Sequence, residues 1–332
     1  MQIRTNYSLL NHNSFGLDVK AKEYVEYENV EELQSYLAGR DKQLPLLHIG
    51  GGNNLLFTKD YDGTILHSAI KGFEVLARDD KNVLVRMGAA EVWDDMVDRT
   101  LLQGYFGLEN LSLIPSEVGA SAVQNIGAYG SEVKDFIENV ELVDLSTGEQ
   151  KTVSNAKCDF AYRYSKFKGP WKGHYAVTYV TFKLSLTYTP NLSYHALASV
   201  ATPEMSAMEL RNAIIKVRES KLPNPKVLGN AGSFFMNPIV DQAVFDELSK
   251  KFPDMPHYVT PKGIKIPAGW LIDQCGWKGK SLGPAAVYQK QALVLVNTGG
   301  ATPHDIMRLS DAVCADVEKK FGIKIHPEVN WI

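Results

Sequence analysis

The residues of this 332-residue chain best suited to chemistry lie in one decapeptide, Gly229-Asn230-Ala231-Gly232-Ser233-Phe234-Phe235-Met236-Asn237-Pro238. Glycine lets backbone approach a ligand closely or take up positive φ. The phenylalanine pair can bury one side of the segment and restrain Ser233. Read alone, the stretch is equally a tight turn over two buried rings. Upstream, Lys221-Leu222-Pro223-Asn224-Pro225-Lys226 carries prolines that impose an extended entry. A serine held rigidly beside a lysine and an asparagine suits proton handling.

Three other stretches could hold ligands. Gly50-Gly51-Gly52-Asn53-Asn54 follows a short apolar run, and such a turn can converge backbone N–H groups on phosphate oxygens. It is not G-x-G-x-x-G and no long helix follows it, so a dinucleotide fingerprint is weak and a flexible turn stays open. Residues 107–130 are dense in small side chains and carry amides at Gln124 and Asn125, which can donate and accept along the edge of a flat heterocycle. The alternative there is a small-residue packing crossover. Arg163 stands among Phe160, Tyr162 and Tyr164, where a guanidinium can stack and grip a carboxylate, or simply cover tyrosines at the surface.

Elements must position these groups. Val30, Leu33 and Leu37 share a helical face that Gly39 ends. Strands are predicted at 45–49, 63–68, 83–87, 140–145 and 180–186. Trp93, Met96, Val97 and Leu101 mark a helix closed by Gly104. Around Pro190 the pattern breaks, which predicts a domain boundary. Leu210, Ile214 and Val217 predict a helix ending at Pro223, with Arg218 and Lys221 projecting near its end. Residues 264–274 read as a second small-residue turn, and 292–296 as a buried strand. Thr302-Pro303-His304-Asp305 is a capping signal for a helix through Val317 that Gly322 stops.

Composition bounds the function. With 45% hydrophobic and 22% charged residues, the chain reads as a soluble globular protein long enough for two or three domains. A formal charge of −3 offers no basic excess, so nucleic acid is not an expected partner. Cys158, Cys275 and Cys314 show neither zinc spacing nor a disulfide framework and read as buried reduced thiols. The histidines form no metal-binding cluster, so no metal is expected. Neither a signal peptide nor a run of roughly 20 apolar residues is visible, so a cytoplasmic protein without membrane contact is expected. No obligate protein partner is evident.

Six stretches in order complete the picture: Gly50 to Phe57, Gly107 to Leu111, Gln124 to Gly130, Tyr162-Arg163, Gly229 to Pro238 and Ala268 to Asp273. Together they resemble the UDP-N-acetylenolpyruvoylglucosamine reductase family, flavoenzymes of peptidoglycan precursor synthesis. The resemblance runs from Asn13-Ser14-Phe15-Gly16 to Pro327-Glu328-Val329.

That resemblance implies an α+β fold. A two-lobed FAD-binding domain of the vanillyl-alcohol oxidase type would span 1–189, with lobes at 1–70 and 71–189. A C-terminal α+β substrate-binding domain would span 190–332, its last residues returning to the active site. FAD would lie along Gly50, Gly51, Gly52, Asn53 and Asn54, and along Ser116, Gly119, Ala120, Ser121, Gln124, Asn125, Gly127, Ala128 and Tyr129. The implied reaction is NADPH-dependent reduction of the enolpyruvyl ether of UDP-N-acetylglucosamine to UDP-N-acetylmuramate, with hydride delivered from flavin N5.

By the same resemblance Arg163 stabilises the enolate-like charge and Ser233 donates the proton, supported by Lys221 and Asn237. Glu328 orients the substrate or shares a proton with the developing enol. Tyr194 matches the tyrosine of a loop that closes over substrate in one subtype. Lys265, Lys278 and Gln291 match substrate-contacting positions, the lysines facing the diphosphate. The chain departs from the family pattern at Asn53, Ser116, Met236 and Asn330. Another oxidase on this fold would be expected to lack the constellation of Ser233, Lys221, Asn237 and Glu328, and a catalytically silent UDP-sugar-binding protein to have lost Ser233, Arg163 or Glu328; all of these residues are present.

Overall fold

The computed structural model describes residues 1–332, the side chain of Ala196 excepted. Two compact units divide the chain. One comprises Met1–Tyr7, Ala21–Gly51 and Asp62–Arg218; the other comprises Ser8–Lys20, Gly52–Tyr61 and Glu219–Ile332.

The first unit holds two sheets. Strands β1 (Gln2–Ser8), β2 (Lys20–Tyr27), β3 (Leu46–Ile49) and β4 (Tyr61–Ser68) lie in the order β1-β2-β4-β3. Strand β3 runs parallel to β4, with Ile49 opposite His67. Helix α1 (Val30–Gly39) starts where the Asn29 side chain accepts from the Glu32 N–H, satisfying a donor that the first turn leaves open. It buries Val30, Leu33 and Leu37, the face read from the sequence, together with Tyr36.

The second sheet of this unit contains β5 (Phe73–Arg78), β6 (Asn82–Gly88), β7 (Ile137–Asp144), β8 (Gln150–Ser154) and β9 (Tyr175–Ser185), in the antiparallel order β8-β7-β9-β6-β5. Helix α2 (Trp93–Leu102) adds Trp93 and Val97 to the core with Phe182, and the Trp93 indole donates to the Leu111 carbonyl at 2.8 Å. A short helix, α3 (Val118–Gln124), occupies the small-residue stretch where the sequence shows no helical stripe. Close approach explains it. A Cβ at Gly119 would lie 2.8 Å from the Ala89 Cβ, and the Gly119 N–H donates to the Ala89 carbonyl at 2.9 Å.

The pattern break around Pro190 does not coincide with the edge of this unit, which continues to Arg218. Most of helix α4 (Ala207–Lys221) therefore packs with it. Buried Arg211 grips both oxygens of Asp94, at 2.6 and 2.9 Å, and reaches Asp98 at 3.2 Å. Leu197, Ala201, Leu210 and Ile214 form an apolar cluster against Tyr129 and Tyr188. No local pattern reveals an ion pair between positions 94 and 211.

In the second unit, β10 (Gly229–Ser233), β11 (Gly263–Lys265), β12 (Ser281–Leu282), β13 (Ala285–Val287) and β14 (Val294–Asn297) build two small sheets. One has the order β10-β14-β13-β12; in the other β11 lies between Ile239–Val240 and Tyr258–Thr260. Helix α5 (Gln242–Lys251) was not apparent from the sequence. Helix α6 (Ala268–Gln274) replaces the predicted turn. Helix α7 (Pro303–Phe321) begins with the capping box of Thr302 and Asp305 and ends at Gly322, φ +67°, as its signals predict.

Residues 8–20 and 52–61 are bound into this unit by close backbone approaches. Gly52 has φ +67°, and a Cβ there would lie 2.0 Å from the His12 carbonyl oxygen. At Gly229 a Cβ would lie 2.2 Å from the Phe15 carbonyl oxygen. Gly52→Ala is therefore expected to lose at least roughly 2 kcal/mol, from left-handed strain plus overpacking. A urea midpoint equal to wild type would refute that.

All three cysteines are unbridged, Cys158 buried and Cys275 and Cys314 half-buried, so the buried reading is complete only for Cys158. Burial pushes the Cys158 and Cys314 thiols up to about 11. Among the described residues no helix is long and apolar enough to cross a membrane.

Candidate active site

In the first unit, two of the sequence motifs are tied together. Ala161 and Tyr164 exchange both backbone hydrogen bonds, at 3.0 and 2.9 Å, so Tyr162 and Arg163 form a two-residue turn. Arg163 has φ +53°, Asn125 φ +43° and Tyr129 φ +49°. Such left-handed conformations cost a non-glycine residue about 1 kcal/mol or more, and persist only where the surroundings over-determine them.

Here the bonding is dense. The wholly buried Asn125 donates to the Ala161 carbonyl at 2.8 Å and to Glu132 at 3.3 Å, and accepts from the Lys134 N–H at 3.2 Å. Its side chain holds the Arg163 turn in place. The Arg163 guanidinium donates to the Gly127 carbonyl at 2.8 Å and lies 5.3 Å from the Tyr162 ring. Ser165 donates to the Val123 carbonyl at 2.7 Å.

Lys168 donates to the Arg163 carbonyl at 3.2 Å and to Gln124 Oε1 at 3.0 Å. Lysine offers only donors, so Gln124 turns its oxygen to Lys168, and its Nε2 meets no protein acceptor among the described residues. The N–H groups of Gly51 and Ala120 likewise have no protein acceptor among the described residues. Ser121 and Ser116 spend their hydroxyls on the Val118 and Glu117 carbonyls, at 2.6 and 3.0 Å.

Tyr129 meets the half-exposed Tyr194 edge to face, with ring centroids 5.6 Å apart. Asn110 fixes both loops, donating to the Tyr129 and Asn191 carbonyls at 2.8 and 2.9 Å. Arg218 supplies a further cation beside Tyr129. Its Nε donates to the Leu113 carbonyl at 3.2 Å, and burial holds its pKa below the usual arginine range. The sequence placed Arg218 near the end of α4, but nothing in it indicated Tyr129 as a neighbour. Lys168 was visible only as a basic residue five positions after Arg163.

In the second unit Ser233 ends β10. The β10–β14 register shifts between Asn230 and Ser233, and Gly232 takes φ +70° in that bulge. Asn230 holds the bulge by accepting from the Gly232 N–H at 2.9 Å and donating to the Leu228 and Pro223 carbonyls at 2.8 and 3.3 Å. Phe234 and Phe235 are buried and Ser233 is exposed. The strand then pairs with the C-terminal segment. The Met236 N–H donates to the His326 carbonyl at 2.9 Å, and the Glu328 N–H to the Phe234 carbonyl at 2.7 Å. Ser233 and Glu328 thus occupy neighbouring paired segments.

The end of the glycine-rich loop joins the same tail. Asn54 donates to the Glu328 carbonyl at 3.4 Å, and Asn330 donates to the Asn54 carbonyl from both backbone and side chain, at 3.1 Å each. This gives the Asn330 departure a structural role. Asn237 accepts from the Ala268 N–H at 2.9 Å, satisfying a donor that the first turn of α6 leaves open. The Gln291 oxygen would lie 3.2 Å from a Cβ on Gly269. Lys265, paired opposite Ile239 and Tyr258, stands close by in sequence. Asn237 and Gln291 thus meet at the start of α6, and Lys265 precedes it in the chain. Lys278 stands past its other end, 3.5 Å from Asp273, and Lys221 is exposed at the end of α4.

Two family models match the chain: an FAD binding domain over residues 21–154, and the UDP-N-acetylenolpyruvoylglucosamine reductase C-terminal domain over residues 224–332. UDP-N-acetylenolpyruvoylglucosamine reductase of Bacteroides fragilis is 54% identical over 329 residues, covering 98% of this chain and 99% of the relative. The chain belongs to the UDP-N-acetylenolpyruvoylglucosamine reductase family. The same reductase of Flavobacterium johnsoniae is 45% identical over the full length of both chains, and that of Neisseria gonorrhoeae 45% identical over 99% of this chain and 97% of the relative. A crystal structure of UDP-N-acetylenolpyruvylglucosamine reductase from Thermus caldophilus aligns over 99% of both chains with a TM-score of 0.71 at 22% identity, which shows the shared α+β fold. As a member of this family with an FAD-binding domain, the chain is an FAD-dependent oxidoreductase.

Proposed function

We propose that this chain reduces UDP-N-acetylglucosamine enolpyruvate to UDP-N-acetylmuramate in the cytoplasm, with Ser233 as proton donor. The observation that carries the reading is the pairing of the Glu328 segment with the strand continuing from Ser233, in a chain of this family. FAD, when bound, supplies the hydride-transfer chemistry and NADPH recharges it. The residues present suit FAD. Gln124 Nε2 and the N–H groups of Gly51 and Ala120 are donors without protein acceptors among the described residues, matched to a cofactor rich in acceptor oxygens and ring nitrogens.

The chain's own residues divide the remaining work. Arg163 holds the substrate carboxylate and offsets the negative charge that develops on it. Ser233 gives its hydroxyl proton to the carbon left carbanionic, and Lys221 makes that proton easier to lose. Glu328 orients the enolpyruvyl group. Asn237, with its oxygen spent on Ala268, offers its Nδ2 to the substrate, and Lys265 and Gln291 grip the nucleotide diphosphate. Tyr194 covers the substrate from its own loop. Lys278 joins them by exchanging Asp273 for a phosphate oxygen.

The test is anaerobic. The flavin is reduced with one equivalent of NADPH, the enolpyruvyl UDP-sugar is added, and flavin absorbance is followed. Return of the oxidised spectrum with UDP-N-acetylmuramate formed is the expected result. Reduction without reoxidation would reject this substrate, and failure to bind FAD at all would reject the reading.

A further inference from the structure

We propose that His67 is a positioning residue for the cofactor loop: as an imidazolium it holds the Glu117 carboxylate and offsets its charge beside Gly50, so that an anionic cofactor is accepted there. The inference rests on the placement of FAD along Gly50–Gly51 and Ser116–Gln124 proposed above.

His67 lies opposite Ile49, the residue immediately before Gly50, and its side chain is 13% exposed. Its Nε2 is 3.3 Å from Glu117 Oε1, and its Nδ1 is 3.2 Å from Glu26 Oε2. Both ring nitrogens face carboxylates, and only the doubly protonated ring can donate to both. The other Glu117 oxygen would lie 3.0 Å from a Cβ on Gly50, so the carboxylate rests against the glycine turn itself. An unscreened carboxylate at that place opposes a phosphate.

The surrounding groups do not replace His67 as the counter-charge. From β2, Tyr24 lies 3.0 Å from both Nδ1 and Glu26. From β1, Arg4 bonds Tyr7 at 2.9 Å, and Tyr7 stacks on Tyr24. From β3, His48 sits 2.7 Å from the Tyr27 hydroxyl and is held neutral, burial pushing it down to about 3. Burial by itself would lower His67 too, but Glu117 and Glu26 together raise it above its ordinary 6.5. Its charge therefore persists to higher pH than that of an ordinary histidine and is lost as pH rises through the raised value. Cofactor affinity should follow it downward.

The experiment titrates FAD into apoprotein between pH 5.5 and 9 and follows flavin fluorescence. The proteins compared are wild type, His67→Gln, Glu117→Gln and the double variant. Wild type is expected to lose affinity by about tenfold across the rise, the size of one charge pair. His67→Gln should bind about tenfold more weakly at low pH, with no slope. Glu117→Gln and the double variant should bind tightly with no slope, which a merely structural histidine would not produce. A pH-independent wild-type affinity, or a double variant as weak as His67→Gln, would overturn the proposal while leaving the FAD site standing. Wild type that binds no FAD at pH 6 would remove the site and this inference together.

Discussion

Ser233→Ala is expected to leave reduction of the bound flavin by NADPH within about twofold of wild type and to slow its reoxidation by the enolpyruvyl sugar by about a thousandfold, the usual range of a lost general acid. The asymmetry follows from the proposed role, since the hydroxyl proton is needed only when the new carbon–hydrogen bonds form. Folding should be indifferent to the change. Ser233 is exposed, and the bulge that aims it is held by Gly232 and Asn230 through bonds the hydroxyl does not make. Rapid-mixing measurement of the two half-reactions separates the cases. Equal losses in both would mean that Ser233 shapes the site without donating a proton.

Asp94→Ala is expected to destabilise the first unit by about 3–5 kcal/mol, because it strands a buried charge. The Asp94 carboxylate receives both Arg211 Nη groups and the Leu113 N–H, so three donors lose their acceptor at once. Leu113 has φ +57°, and its carbonyl accepts from Arg218. The loss should therefore loosen the segment beside Tyr129 as well as α4. Pairing the change with Arg211→Met should restore most of the stability, since a buried pair replaced by apolar groups is often nearly neutral. Urea unfolding would check both steps. A loss under about 1 kcal/mol for Asp94→Ala would show that Asp98 alone neutralises Arg211.

Much of the molecule was legible before any coordinates. Thr302 and Asp305 cap α7 because a capping box needs only residues three apart, and Gly322 ends it because the left-handed position suits glycine. Helix α1 and strands β3, β4, β6, β7, β9 and β14 followed from apolar spacing, which reports burial of one face over a few residues. The family followed from six stretches in order.

Tertiary structure decided which residues meet. The Glu328 segment pairs with the strand from Ser233, and Asn54 bonds Glu328 across 274 positions. Asn125 turned from a candidate ligand edge into the brace of the Arg163 turn. His67 found Glu117 50 positions away, and Arg211 found Asp94 117 positions away. Local pattern reports the period of burial and the chemistry of caps and turns, which depend on residues within a turn or two. A contact between distant positions exists only once chain entropy has been spent on closing the loop and other packing holds it closed, and that information is spread over the whole core.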